Sequence, residues 1–224
     1  MEIIKLNDET RDPHPQSEVF VVTNLKQGVK NPNRVNVFVN DKFAFSLDVA
    51  QVVDYKLKVG LEISEERLEE LKKASEFGKL YQRALEWVLV RPRSKREVQD
   101  YLRKKLYKST KDHLEDSSEL LKQIIERLTM RGYIDDRKFA EFYVENRFVK
   151  KGVSKKRLKM ELIKKGVGKD VLDEVLDGRD DEEEIRKMIK RKRAKYDDEK
   201  LTAYLCRQGF SYDLVREMIA KEND

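Results

Sequence analysis

Groups able to do covalent or metal chemistry are scarce in this 224-residue chain. Its two histidines, His14 and His113, are far apart and sit in polar, loop-like stretches. They read as surface residues rather than as an acid–base pair or metal ligands. Cys206 stands between Leu205 and Arg207 in an amphipathic pattern and reads as packed in or near a core, not as a nucleophile. No glycine-rich phosphate loop is present. The acids Asp135, Asp136, Glu141 and Glu145 are the one grouping that could be imagined around a metal. Asp135 and Asp136 suit helix caps better, and the glutamates suit a solvated face. The expectation is a non-enzymatic protein with no metal and no cofactor.

Basic clusters carry more information. Residues 150–169 hold nine Lys/Arg against one acid, Glu161, and residues 186–195 hold seven and no acid. In the second cluster Ile185, Met188 and Ile189 make a buried stripe, which leaves Arg186, Lys187, Lys190, Arg191 and Arg193 over the exposed surface. In the first, Lys155, Lys156, Arg157 and Lys159 flank Leu158 and Leu162. Such faces contact phosphates or an acidic protein groove. The plainer reading is a solvated face balanced by the acids at 180–184, which also suit the N-terminus of their helix. Two such faces on adjacent segments favour a binding role, without telling protein from nucleic acid. Arg91-Pro92-Arg93-Ser94 has a local purpose, since proline ends one helix and serine caps the next. Arg91 and Arg93 are further candidates for partner contact. Trp87, Tyr101, Phe139, Phe142 and Tyr143 fall at helical spacing and read as core rather than a base-stacking platform.

The elements that must position these faces are mostly helical. Charged residues make up 41% of the chain, well above the usual share, which favours a thin array with much surface per residue. Net charge is +6. With one cysteine no intrachain disulfide forms, and no apolar run approaches the ~18 residues of a membrane span, so a cytoplasmic monomer is expected. Residues 1–18 read as a flexible tail. Alternating runs on either side of Asn40-Asp41 predict a small antiparallel sheet over 19–47, followed by a short helix ended near Gly60, so that 19–62 form one N-terminal region. From Ser64 all is predicted helix, with a possible break at Gly78, a capping box at Ser94–Glu97, a polar connector at 107–116, and a helix opened by Asp116 or Ser117. Gly132-Tyr133, Gly152-Val153, Gly166-Val167 and Gly209-Phe210 are helix C-terminal signals, followed by the caps Asp135, Ser154 and Ser211. Leu158, Leu162, Gly166, Val167, Val171 and Val175 match Leu201, Leu205, Gly209, Phe210, Leu214 and Met218 at a constant offset of 43 residues. Val98, Leu102 and Leu106 precede Leu158, Leu162 and Gly166 by 60 residues. These offsets predict three three-helix repeats, at 63–134, 135–178 and 179–224.

Several of these motifs resemble those of the RecX family. They are Arg91-Pro92-Arg93-Ser94-x-x-Glu97-Val98-x-x-Tyr101-Leu102, Gly132-Tyr133-Ile134-Asp135-Asp136-x-x-Phe139-Ala140, the stretch Arg147 to Val167, and Tyr204-Leu205-x-Arg207-x-Gly209-Phe210-Ser211-Tyr212-Asp213. Asn33 to Leu47 is similar to the β region of its longer members, so the resemblance covers residues 32–220. Leu106 departs from the pattern, standing where the family usually has glycine, and the 107–116 insert is long for the family. The resemblance implies a curved, elongated array of tandem three-helix repeats that binds RecA filaments on single-stranded DNA along the filament groove. It implies blocked filament growth, and with it restrained ATP hydrolysis, strand exchange and SOS co-protease activity. Weak direct DNA binding is also implied, and no catalytic residue carries over. Two rival classes use the same residues: a stand-alone helical DNA-binding module, and a passive scaffold whose charge serves solubility.

Overall fold

A computed structural model describes residues 19–29, 31–109 and 114–222, with the side chains of 108–109, 114–117 and 148–151 also left aside. His14, His113, the tail 1–18, and the side chains of Lys150 and Lys151 therefore lie outside the described residues. The chain divides into two units after Lys79.

The first unit is built on the alternating runs. Strands β1 (Phe20–Gln27), β2 (Arg34–Val39) and β3 (Lys42–Asp48) are followed by helix α1 (Val49–Asp54) and a two-residue strand β4 (Glu62–Ile63). The sheet order is β3-β2-β1-β4, antiparallel throughout. Asn40 and Asp41 take positive φ of 47° and 62°, the tight turn their residue types favour. Val22, Val37, Val39, Phe45 and Leu47 are buried against Leu68 and Leu71 of α2 (Glu65–Val90). Strand β4 was not anticipated, because two residues carry no period to detect. Ser75 of α2 satisfies the open edge of β3, its Oγ accepting from Ser46 N at 3.3 Å and donating to Ser46 O at 2.6 Å. Helix α2 runs unbroken through Gly78, contrary to the expected break. A Cβ there would stand 3.0 Å from Gln51 Oε1, so glycine permits a close approach rather than ending a helix.

The second unit is helical. The end of α2 is followed by α3 (Lys95–Ser109) and α4 (Leu114–Met130), then α5 (Asp136–Lys151), α6 (Lys155–Lys164) and α7 (Lys169–Val175), then α8 (Asp181–Lys192), α9 (Asp198–Arg207) and α10 (Tyr212–Lys221). Helix α3 reaches Ser109 and α4 starts at Leu114, so the polar stretch read as a connector is largely helical, and neither Asp116 nor Ser117 opens α4. Polarity misled there because a helical segment can be as rich in polar residues as a loop. Asp135 caps α5 and Ser154 caps α6 as expected; Ser211 occupies the N-cap of α10 but makes no capping hydrogen bond. Buried side chains follow the repeat: Val98, Leu102 and Leu106, then Leu158 and Leu162, then Leu201 and Leu205.

The middle helices α3, α6 and α9 are joined end to end. Ser94 and Ser154, both fully buried, cap α3 and α6. Ser94 Oγ also donates to Lys165 O at 2.7 Å, and Ser154 N donates to Gln208 O at 3.2 Å. The turn that ends each middle helix thus sits on the start of the one before it. Asp136 Oδ1 accepts from Lys95 N, and Asp181 Oδ1 from Lys155 N, each at 2.8 Å, so the next repeat also supplies an acid to the same helix start. Gly209 is needed twice in this joint: its φ is +95°, and a Cβ would lie 2.7 Å from Ser154 Oγ and 3.0 Å from Arg157 Cβ.

Gly178 has φ +67° with open space around it, so it isolates the backbone cost alone. Gly178→Ala is expected to cost about 1–2 kcal/mol of unfolding free energy. Gly209→Ala is expected to cost about 1–3 kcal/mol more, because a packed contact must also give way. Urea denaturation of both variants measures the difference; equal losses would show that the joint is loosely packed.

Candidate functional site

The basic residues singled out by sequence separate into two groups once their partners are known. Arg91 Nη1 donates to Pro92 O at 2.8 Å and lies 3.4 Å from Glu97, which Lys165 also pairs at 2.8 Å. Arg93 lies 3.9 Å over the ring of Trp87, which stacks on Tyr101 with centroids 4.4 Å apart. Burial and the neighbouring Arg91 both lower the Arg93 pKa. The Arg-Pro-Arg segment is therefore held within its own repeat and against the next. Arg157 pairs with Glu161 at 3.2 Å and also donates to Arg207 O. Lys159 pairs with Asp173 at 2.9 Å, Arg186 with Glu222 at 3.3 Å, Lys187 with Glu183 at 2.7 Å, and Arg193 with Asp198 at 2.9 Å.

Lys155, Lys156, Lys190 and Arg191 are different. All four are exposed, and none forms an ion pair with the described residues. They border one turn. Lys155 and Lys156 open α6 directly after Gly152–Ser154, while Lys190 and Arg191 line a cavity of about 330 Å³ with Gly152, Glu184, Lys187 and Met188. Helix α8 is pressed against that turn: a Cβ on Gly152 would stand 2.3 Å from Met188 Sδ.

Two residues that fix this arrangement were misread or missed in the sequence. Glu184 was grouped with the acids at 180–184 that balance the basic face and suit the helix start, yet it is 5% exposed. It lies 3.6 Å from Arg179, whose Nη2 donates to Val153 O at 3.0 Å. Burial raises the Glu184 pKa, with Arg179 opposing. The available signal was position, because Glu184 falls four residues before Met188 on the buried stripe.

On the other side, Glu161 ties α5 to α6. It accepts from Arg147 Nη2 at 2.8 Å and Nε at 3.0 Å, from Tyr143 Oη at 2.9 Å and from Arg157 Nε at 3.2 Å. Arg147 foremost, then Tyr143 and Arg157, pull the Glu161 carboxyl from 4.5 to about 2. Among the described residues no group of His, Cys, Asp or Glu could hold a metal ion, and no helix is long and apolar enough to cross a membrane.

A carboxylate whose pKa is depressed on folding stabilises the fold fully above its unfolded value and loses that contribution as pH falls through its folded value. The Glu161→Gln variant is therefore expected to be less stable than the parent above pH 4.5, with the gap closing as pH falls towards about 2. Urea melts across that window, followed by circular dichroism, give the comparison. A gap that does not change with pH would remove Glu161 from this role.

Comparison with known proteins agrees with this architecture. A family model described as the regulatory protein RecX N-terminal domain matches residues 20–64, and one described as the RecX second three-helix domain matches residues 135–176. Regulatory protein RecX of Bacillus subtilis (strain 168) is 32% identical over 216 residues, covering 91% of this chain and 78% of the relative. That of Listeria monocytogenes serotype 4b (strain CLIP80459) is 26% identical, covering 87% of this chain and 73% of the relative. A crystal structure of a regulatory protein RecX shares the fold at a TM-score of 0.65 with 19% identity, covering 90% of this chain and 99% of that one. The crystal structure of RecX from Lactobacillus salivarius gives 0.50 with 26% identity, covering 66% of this chain and 97% of that one. The identity to the Bacillus relative extends over both the sheet and the helical repeats, and on that ground the chain belongs to the RecX family of regulatory proteins.

Proposed function

We propose that this protein binds the RecA filament on single-stranded DNA and restrains filament growth. Lower ATP hydrolysis, strand exchange and co-protease activity follow from a shorter filament. Family membership supports the reading, and one observation carries the choice of surface: four exposed cations that form no ion pair among the described residues border the Gly152 turn. Free cations exert their field on a partner, whereas cations already paired at the surface contribute little beyond their own fold. The proposed contact is therefore Lys155, Lys156, Lys190 and Arg191. Arg157, Lys159, Arg186, Lys187 and Arg193 shape the surface around it, and Arg91 and Arg93 hold the first repeat.

The test is RecA ATP hydrolysis on single-stranded DNA while this protein is titrated at substoichiometric ratios. Inhibition well below one molecule per RecA is the expected result. Reversing the charge of Lys155, Lys156, Lys190 and Arg191 together is expected to raise the half-inhibitory concentration about tenfold or more, corresponding to at least about 1.4 kcal/mol. Arg186→Glu is expected to do less, because Glu222 already engages Arg186. Unaltered RecA activity alongside salt-sensitive binding to bare DNA would replace this reading with a stand-alone DNA-binding module.

A further inference from the structure

Helix α6 presents a face that its two sister helices do not. Met160 and Ile163 are 54% and 51% exposed, one turn apart on the same side of the helix. Lys156 and Lys164 are exposed at the two ends of this pair, and Lys159 lies beside it. The repeat offsets provide an internal comparison. In α3 the matching positions are Asp100 and Arg103, which pair with each other at 3.8 Å. In α9 they are Ala203 and Cys206. Only the middle repeat of the three sets two large apolar side chains there.

Isolated exposed apolar residues are ordinary. An adjacent pair flanked by Lys156 and Lys164, unpaired among the described residues, with Lys159 beside it held by Asp173, has the layout of a protein interface, with an apolar centre and a charged rim. Phosphate contacts require cations and gain nothing from Met160 or Ile163, and α6 carries no aromatic side chain on which bases would stack, so a protein partner suits the pair better than a nucleic acid. The lysine rim sets the sign of that partner.

We infer that the Lys156–Lys164 face of α6 docks an acidic protein surface that carries an apolar side chain at its centre. Resting on the function proposed above, the occupant is a RecA surface in the filament rather than the DNA it encloses. The apolar pair supplies affinity by excluding water, and the lysines orient the encounter and set its salt dependence.

The Met160→Ser/Ile163→Ser double variant removes the apolar centre from exposed positions, and a Met160→Leu/Ile163→Leu variant retains it. Binding to preformed RecA–single-stranded DNA filaments and to the same DNA alone is followed by fluorescence anisotropy, with circular dichroism verifying helicity. The serine variant is expected to lose about tenfold in filament affinity at low and at raised salt, with bare-DNA binding unchanged. The leucine variant is expected to bind filaments like the parent. Equal filament affinity for the serine variant and the parent overturns the inference. So does a parallel loss on bare DNA, which would make this face a nucleic-acid surface. Failure of the parent protein itself to bind filaments defeats the underlying functional reading, and is distinguishable because it appears before any substitution.

Discussion

The helical unit depends on one contact used twice: the glycine-ended turn of a middle helix seated on the buried serine that starts the middle helix before it. A helix end exposes backbone groups that must find partners once they leave water. At the start of α3 and α6 the serine hydroxyl accepts from the N–H three residues on, while an aspartate of the following repeat accepts from the N–H next to the serine. At the ends of α6 and α9, Lys165 O and Gln208 O accept from the serines of the preceding repeat. Neither end is complete without its neighbour, which ties the spacing of the repeats to hydrogen bonding as well as to apolar contact. At α9 the exposed Asp197 takes the place of the buried serine and caps its own helix through Lys200 N.

The same joint organises the charge. A chain with 41% charged residues has many possible ion pairs, and most of the basic positions that stood out in the sequence are engaged within the fold. Individually such pairs at the surface contribute little to stability. Among the described cations of the two clusters that remain exposed without an ion pair, Lys155, Lys156, Lys190 and Arg191 border the Gly152 turn. The buried Arg179–Glu184 pair holds α8 against that turn, and Glu161 holds α5 against α6, so the surface rests on two carboxylates that sequence alone placed on solvated or unremarkable positions. The exposed apolar pair on α6 lies on the repeat that these carboxylates brace.

Much of this was legible in the chain. The 43-residue offset, the glycine–apolar dipeptides and the caps Asp135 and Ser154 are local signals, and backbone geometry enforces them: a residue ending a helix in the left-handed region is cheapest as glycine, and the following apolar side chain folds back, as Val167 and Phe210 do. Period-two alternation around Asn40-Asp41 likewise marked β2 and β3, and the apolar, β-branched run from Val19 to Leu25 marked β1. Errors arose where a local signal had a second, non-local cause. Gly78 read as a break and proved to be a close approach to Gln51. The 107–116 stretch read as a connector, yet α3 runs to Ser109 and α4 begins at Leu114, because polar residues mark a solvated helix as readily as a loop.

What the sequence determined by itself was the kind of object: helical, repeated, basic on two faces and poor in catalytic groups. Each of these rests on composition or on neighbours within a few turns. Only the tertiary structure decided which cations lack an ion pair, that Glu184 is buried, and that α6, of the three middle helices, keeps a large apolar pair in the open. Those properties depend on groups far apart in the chain: Arg186 meets Glu222, the backbone N–H of Lys155 meets Asp181, and Gly209 meets Ser154. A charge pattern counts residues, whereas a binding surface is what remains after the folded chain has used the rest, and that remainder is set by packing.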